Sequence, residues 1–331
     1  MEPLYNVNGL MFWTEREIRL RRQFEEHFAF TMEQILLAEN PAWKFIQVEA
    51  PLLTPRTEIN PNYTDEDVWV QENPIDECLE KEFYQWIKDT DVYDVVDCLS
   101  KCKSDTPELL EALLEYVIDL NERLNREGDK YESHRPWVEQ VFALWLNCYN
   151  KNPASLVLRP ETTPGSYTYA CHLLNSHSGV KPPFVVWQTG KSFRREQDQV
   201  TKNMRLKEFY QQEFQCIYTA DTMNDYHAAV LEPVRKMIDE MIDLPTRIVK
   251  SDRLPSYSEV TMDVEAHTES YVFNKENDKW MEMCSISRRT DFPQKARFQT
   301  KKKIVEKDLL VLEIAIGLDR CVYSFEQRSR S

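Results

Sequence analysis

Two apolar, strand-like segments stand far apart in the chain, and each ends in arginine and glutamate. The first is Phe193-Arg194-Arg195-Glu196, which continues through a basic loop and returns as Arg205-Leu-Lys-Glu-Phe-Tyr-Gln-Gln-Glu213-Phe. The second is Leu312-Glu313-Ile-Ala-Ile-Gly317-Leu-Asp-Arg320. Taken singly, an Arg-x-Glu reads as a solvated ion pair and a lone Phe at strand spacing reads as core. Jointly they describe a strand, a turn, a second strand ending in Glu-Phe, and a distal strand that runs into a helix bearing an arginine. Guanidinium groups fixed on rigid strands are what a site needs to neutralise phosphate charge.

The two segments resemble motifs 2 and 3 of class II aminoacyl-tRNA synthetases, which activate an amino acid with ATP. The resemblance implies roles for particular residues. Arg194 would lie on the α-phosphate and the amino-acid carboxylate, and Arg320 would reach the γ-phosphate of a bent ATP, making these two the catalytic candidates. Phe209 would stack on the adenine, Glu196 would read its amino group, and Arg205 would serve phosphate or ribose. Glu313 would hold Mg²⁺ bridging phosphate oxygens. A general acid or base is not required, because the substrate carboxylate is the nucleophile; His172 and His267 are therefore expected to be structural.

Leu158-Arg-Pro-Glu-Thr-Thr-Pro-Gly165 is similar to the Arg-Pro-Glu-Thr-Ala-Gln-Gly stretch of glycyl-tRNA synthetases. So are Thr261-Met-Asp-Val-Glu265 and Lys279-Trp-Met-Glu282-Met-Cys-Ser-Ile-Ser-Arg288-Arg289-Thr-Asp291-Phe, which match paired strands carrying Trp-Asp-x-Glu and Glu-x-x-Gly-Ile-Ala-x-Arg-x-Asp-Tyr. A small ammonium-bearing substrate needs carboxylates around its nitrogen, so Glu161, Glu213 and Glu282 are the expected amine ligands. Arg289 is a candidate for the ATP or adenylate side. Asp263 and Glu265 fit either a site or the wet face of a half-buried strand. Two departures bear on the pocket. The glycyl pattern has Glu-Pro-Ser where this chain reads Glu313-Ile-Ala315, which deletes a pocket hydroxyl at Ala315, and its glycine is Ser285 here.

The expected fold is α/β (α+β): a mainly antiparallel synthetase-type sheet flanked by helices, with a helical insertion. Residues 1–63 and 151–331 are assigned to the catalytic domain and 64–150 to the insertion. Within that insertion Thr106-Pro107 opens a helix, Leu109 to Leu124 keep a helical stripe, and Val138, Phe142 and Trp145 form another. The pattern over 13–38, with Phe24, Phe28 and Met32 at four-residue spacing, predicts a long amphipathic helix. It runs into 43–51 and ends at Pro51, resembling the motif 1 dimer element and implying a homodimer. Further strands are expected at 184–188, 207–218, 246–250, 258–265, 269–274, 280–287 and 309–313, with helices over 166–175 and 222–241.

At 331 residues with 42% hydrophobic content, the chain can bury a substantial core. Its formal charge of −15 argues against a broad nucleic-acid face. The basic exception is Lys295-Ala-Arg297-Phe-Gln-Thr-Lys301-Lys302-Lys303, expected to be a solvated loop. The 8 cysteines show no Cys-x-x-Cys spacing, so reduced thiols in the cytoplasm are expected, and neither a signal peptide nor a membrane span is expected. Because motif 3 ends near Phe325, the C-terminal anticodon-binding domain of glycyl enzymes is expected to be absent. The resulting expectation is ATP- and Mg²⁺-dependent activation of a small amino acid, glycine favoured, for transfer to a tRNA acceptor end or another acceptor. The alternative is an inactive synthetase-like accessory subunit, of the kind that serves a mitochondrial DNA polymerase.

Overall fold

The computed structural model describes residues 6–7, 10–60, 63–64, 67–71, 77–101, 107–128, 131–148, 156–176, 180–195, 205–220, 226–252, 257–268, 279–299 and 304–328. They form two units, one of Met1–Thr54, Asn60–Trp69 and Leu158–Ser331, the other of Pro55–Ile59 and Val70–Val157. Glu196, Lys202, Thr106, Cys102, Lys301, Lys302, Lys303 and the strand expected at 269–274 lie outside the described residues.

The first unit is built on seven strands: β1 (Lys44–Gln47), β2 (Phe184–Phe193), β3 (Glu208–Thr219), β4 (Thr246–Lys250), β5 (Ser258–His267), β6 (Trp280–Arg289) and β7 (Leu309–Gly317). They lie in the order β1-β2-β3-β7-β6-β5-β4. The β1–β2 pair is parallel and every other pair antiparallel. The strand expected at 207–218 is found one residue on, while those at 184–193, 280–289 and 309–317 run longer than expected. Polar residues occupy alternate positions on them without ending the ladder, because those positions share one face.

The two faces of this sheet differ in chemistry. Helices α1 (Glu15–Glu39), α7 (Tyr226–Ile242) and α8 (Leu318–Arg328) cover the apolar one. On α1 the buried Phe24, Phe28, Met32 and Leu36 form a stripe at four-residue spacing. The helix begins at Thr14, where Glu17 accepts from the Thr14 backbone N–H at 2.9 Å in a capping box. Its far end is tied to α7 by the amide of Asn40, which donates to the Tyr226 hydroxyl at 2.9 Å. Against these helices the sheet presents Phe214, Cys216, Cys284, Ile286, Leu312, Ile314 and Ile316.

On the opposite face, α6 (Thr163–Asn175) packs Tyr167, Ala170 and Leu173 over Phe184, Val186, Ile217 and Val311. The remainder of that face is polar and buried: Gln188, Gln211, Glu213, Gln215, Thr261, Asp263, Ser287, Arg289 and Glu313. The helix begins at Thr163 rather than at 166, because Pro164 in its first turn fixes φ and has no N–H to leave unsatisfied. The basic segment expected as a loop is instead partly ordered. Ala296–Gln299 pairs antiparallel with Ile304–Lys307, and acids answer its cations at Arg297–Glu306 (3.0 Å) and Lys295–Asp308 (2.9 Å).

The second unit contains four helices, α2 (Glu77–Asp89), α3 (Val92–Lys101), α4 (Pro107–Glu127) and α5 (Tyr131–Cys148). They close a core of their own around Ile87, Val95, Leu113, Val117, Leu120, Val138, Val141 and Phe142. A short pair between Val70–Gln71 and Leu156–Leu158 accompanies them.

Close approach explains two glycines. A Cβ at Gly165 would come within 2.3 Å of the Ala50 Cβ, and one at Gly190 within 2.1 Å of the Arg159 guanidinium. Ala50 cannot move aside as the tip of a flexible side chain can. Gly165→Ala is expected to destabilise the protein by about 1–3 kcal/mol, the usual penalty for an overpacked interior. A denaturant midpoint unchanged from wild type would show that the α6 N-terminus is not held against Ala50.

Candidate active site

The polar half of the sheet begins with a loop held down by an arginine. Arg159 is 2% exposed, and each of its bonds closes on the segments around it. Its Nε donates to the Lys191 carbonyl at 2.9 Å, and one terminal nitrogen donates to the Ala50 carbonyl at 2.8 Å and to Gln188 Oε1 at 3.2 Å. The amide of Gln188 then donates to the Thr162 carbonyl at 2.9 Å and the Ser166 hydroxyl at 2.8 Å. This knot fixes the Pro-Glu-Thr-Thr turn over the sheet, and with it the start of α6.

The turn delivers Glu161, Thr162 and Thr163 to the carboxylates of β3 and β7. Glu213 accepts from the hydroxyls of Thr162, at 2.5 Å, and Thr163, at 3.2 Å, and from the amide of Gln211. Glu313 accepts from Thr163 at 2.9 Å, from the Gln215 amide at 2.8 Å and from Arg289 at 2.6 Å. Arg289 is 1% exposed, and its other nitrogens donate to Asp291 at 3.0 and 2.7 Å. The Tyr257 ring lies 3.9 Å from its guanidinium carbon. Tyr63 stands with its hydroxyl 3.5 Å from Glu161 Oε2.

Three buried glutamates thus converge on a space short of positive charge. Burial, then Glu313 and Glu161, push the Glu213 carboxyl up to about 8. Burial likewise raises Glu161, against the pull of Arg289. For Arg289 burial works to lower the pKa, but Glu313 and the surrounding groups outweigh it and hold the guanidinium charged. One arginine therefore serves Glu313 and Asp291 while Glu213 keeps a proton near neutrality.

The anion-binding candidates lie beside this cluster. Arg194 follows β2 and its Nε donates to the Pro160 carbonyl at 3.1 Å, one residue from Glu161. Its guanidinium carbon is 5.2 Å from the centre of the Phe209 ring and 5.7 Å from that of Tyr63. So the sequence-selected Glu161, Glu213, Glu313, Arg194 and Phe209 come together, and Ala315 faces Glu213 across the β3–β7 ladder. Arg205 is half-buried just before β3. Glu282 is exposed, and Arg320 donates to its carbonyl at 2.8 Å and stands 3.5 Å from its carboxylate. Glu265 pairs with Arg247 at 2.7 Å. His172 sits in the last turn of α6, and the His267 ring packs edge-on against Trp280 at 5.2 Å.

Arg289, Gln215 and Thr163 all bond the same oxygen of Glu313, its Oε2. Among the described residues no three His, Cys, Asp or Glu side chains are grouped to hold a metal ion. Arg159, Gln188, Gln215, Thr162, Thr163, Tyr63 and Tyr257 were not anticipated. A signal existed for one of them: Gln211, Glu213 and Gln215 alternate as polar residues on a strand whose intervening positions are buried and apolar.

A family model described as "tRNA synthetase class II core domain (G, H, P, S and T)" matches residues 144–326. The chain is 31% identical over 139 residues to a glycine–tRNA ligase of Corynebacterium efficiens, covering 41% of this chain and 29% of the relative. It is 29% identical over 244 residues to that of Mycoplasmopsis synoviae, covering 64% of this chain and 51% of the relative. A prolyl-tRNA synthetase from Cryptosporidium parvum, solved with halofuginone and AMPPNP, shares the fold at TM-score 0.56 and 10% identity, over 97% of this chain and 48% of that one. The chain thus spans about half or less of the length of the relatives it matches.

The raised Glu213 carboxyl sets a pH test. Its folded-state pKa near 8 lies above the ordinary carboxylate value, so the folded state binds the proton more tightly. The stability this proton confers is complete at low pH and is lost as pH rises toward 8. Glu213→Gln, which is neutral throughout, is expected to match wild-type thermal stability near pH 4, below the ordinary carboxylate value, and to exceed it increasingly up to pH 8.5. A difference in melting temperature that is the same at both pH values would contradict the assignment.

Proposed function

The chain belongs to the class II tRNA synthetase core family, and from that premise we propose that it activates a small amino acid with ATP. The observation that carries this reading is the bond from Arg194 Nε to the Pro160 carbonyl. It holds an anion-binding guanidinium next to a cation-binding set of carboxyls, an arrangement complementary to an amino-acid zwitterion. The ammonium would sit among Glu161, Glu213 and Glu313, displacing the proton on Glu213. The carboxylate would turn toward Arg194.

In the proposed step a carboxylate oxygen attacks the α-phosphorus of ATP. A C–O–P bond forms, the bond from that phosphorus to the bridging oxygen breaks, and pyrophosphate leaves with the electron pair. The products are an aminoacyl-adenylate and pyrophosphate, with no proton to move. Arg194 would stabilise the charge that builds on the α-phosphate, which is the largest contribution fixed donors make in such sites. Phe209 would offer the adenine a flat partner, and Arg205 and Arg320 would serve the remaining phosphates or the ribose. Arg320 is at present held by Glu282, so phosphate would have to replace that partner. Glu313 is the candidate that would hold Mg²⁺ accompanying ATP, where the ion would offset phosphate charge.

The relatives are glycine–tRNA ligases, which makes glycine the reference substrate and tRNA the reference acceptor. Assembly as a cytoplasmic homodimer fits β1 as an edge strand and the exposure of Phe30 (65%), Leu52 (43%) and Leu53 (40%). The thiols of Cys171, Cys216, Cys284 and Cys321 are free, and no described helix is long and apolar enough to cross a membrane.

ATP–pyrophosphate exchange with small amino acids tests the proposal. Exchange is expected with at least one of them, and Arg194→Ala should lower it by at least about two orders of magnitude, the usual effect of removing one transition-state donor. Wild-type rates in Arg194→Ala would sink its assignment. Absence of exchange in folded protein that binds ATP would favour the accessory-subunit alternative.

A further inference from the structure

One row of residues crosses the polar face at the level of the carboxyl cluster. Register places Glu213 of β3 opposite Ala315 of β7, Ala315 opposite Ser285 of β6, and Ser285 opposite Asp263 of β5. Directly opposed residues share a face, with Cβ atoms about 4.5–5.5 Å apart. Moving away from the amine site, the surface therefore reads carboxyl, methyl, hydroxyl, carboxyl. Ala315 and Ser285 are half-buried, and Asp263 is only 9% exposed.

The acids at the far end differ in what already answers them. Glu265 is paired with Arg247 at 2.7 Å and Glu282 with Arg320 at 3.5 Å. Among the described residues Asp263 has no ion pair; burial, first, and the nearby Glu282 push its carboxyl up to about 6, while the hydroxyls of Ser251 and Ser285 pull it down. The Ser285 hydroxyl has one proton to donate and two lone pairs to accept with. The two positions in mid-row, Ala315 and Ser285, are both among those at which the chain departs from the glycyl pattern. A hydroxyl is lost from one strand and gained on its direct cross-strand partner.

We propose that the amino-acid pocket extends across Ala315 to the Ser285–Asp263 pair, and that the preferred substrate is a small amino acid whose side chain ends in a hydroxyl or amine donor. This rests on the activation reading above and replaces its glycine reference. With the ammonium among Glu161, Glu213 and Glu313, a side chain of one or two carbons lies over the Ala315 methyl, where a hydroxyl would lose its partner to carbon. Its terminal donor then reaches Ser285 and Asp263. Glycine leaves that pair to water. An apolar side chain of the same length covers it without a bond, at the cost of a desolvated polar group.

The test uses non-hydrolysable aminoacyl-sulfamoyl-adenosines as probes, carrying glycyl, alanyl, seryl and 2,3-diaminopropionyl groups. Binding is measured by calorimetry on the full chain. The wild type is expected to bind the seryl or diaminopropionyl analogue at least about tenfold more tightly than the glycyl and alanyl ones, a modest value for a site built to bond a substrate donor. The double variant Ser285→Gly with Ala315→Ser should reverse the order in favour of glycyl. Ala315→Ser alone, which leaves β6 untouched, should weaken seryl and diaminopropionyl binding while sparing glycyl. Asp263→Asn should weaken the diaminopropionyl analogue most. Glycyl binding as tight as that of both donor-bearing analogues in the wild type would overturn the extension and leave the activation reading standing. A donor preference that survives the double variant would overturn the assignment to Ser285 and Asp263. Failure of every analogue to bind folded wild type would overturn both readings.

Discussion

The buried guanidinium of Arg289 serves two carboxylates at once, on a sheet face that carries two more. It bonds Glu313 at 2.6 Å and Asp291 at 2.7 Å while Glu161 and Glu213 remain close by on the same sheet face. An unpaired carboxylate in such a place is costly, and a group in that position keeps its proton instead. Glu213 does so. The site is thereby prepared for a cation: an ammonium entering among the three glutamates supplies hydrogen-bond donors and charge that the protein itself withholds. Truncating Arg289 would strand Glu313 and Asp291 together.

Placing those acids requires the fold to oppose its own preference for an apolar sheet centre. The knot of Arg159 and Gln188 makes this possible by satisfying the carbonyls of residues 50, 162 and 191 at once. Gly190 leaves room for the Arg159 guanidinium and Gly165 lets α6 approach residue 50. The apolar face, with α1, α7 and α8 over Phe214, Ile286, Ile314 and Ile316, supplies the burial that anchors the strands carrying the polar row. Function and stability are thus divided between the two sides of one sheet.

Much of the architecture was legible because it follows from periodicity. The stripe of α1, the alternation of β5 and β6, and the run of β7 into α8 are local patterns, each visible within its own window. Glu161 and Glu213 could be singled out because the segments that carry them resemble class II and glycyl-tRNA synthetase motifs, whose substrate ammonium calls for carboxylates. What could not be read were contacts between distant side chains. The bonds of Glu313 to Arg289, Gln215 and Thr163 join residues from three separate segments, and no local pattern foretells them. The placing of Glu282 has a similar origin: a bulge in the β5–β6 ladder sets it opposite Glu265, and there it meets Arg320. Both segments beside residues 296–307 read as charged loop, but cross-strand pairs such as Arg297–Glu306 are invisible until the register is known.

The central claim is that substrate ammonium replaces a proton held by the carboxyl cluster. Calorimetric titration of the amino acid at pH 7, with ATP analogue present, in buffers of different ionisation enthalpy, measures that exchange directly. The account predicts release of a substantial fraction of one proton for each amino acid bound, abolished in Glu213→Gln. Binding enthalpies that are independent of the buffer would show that no proton is displaced and that the three glutamates are not the amine site.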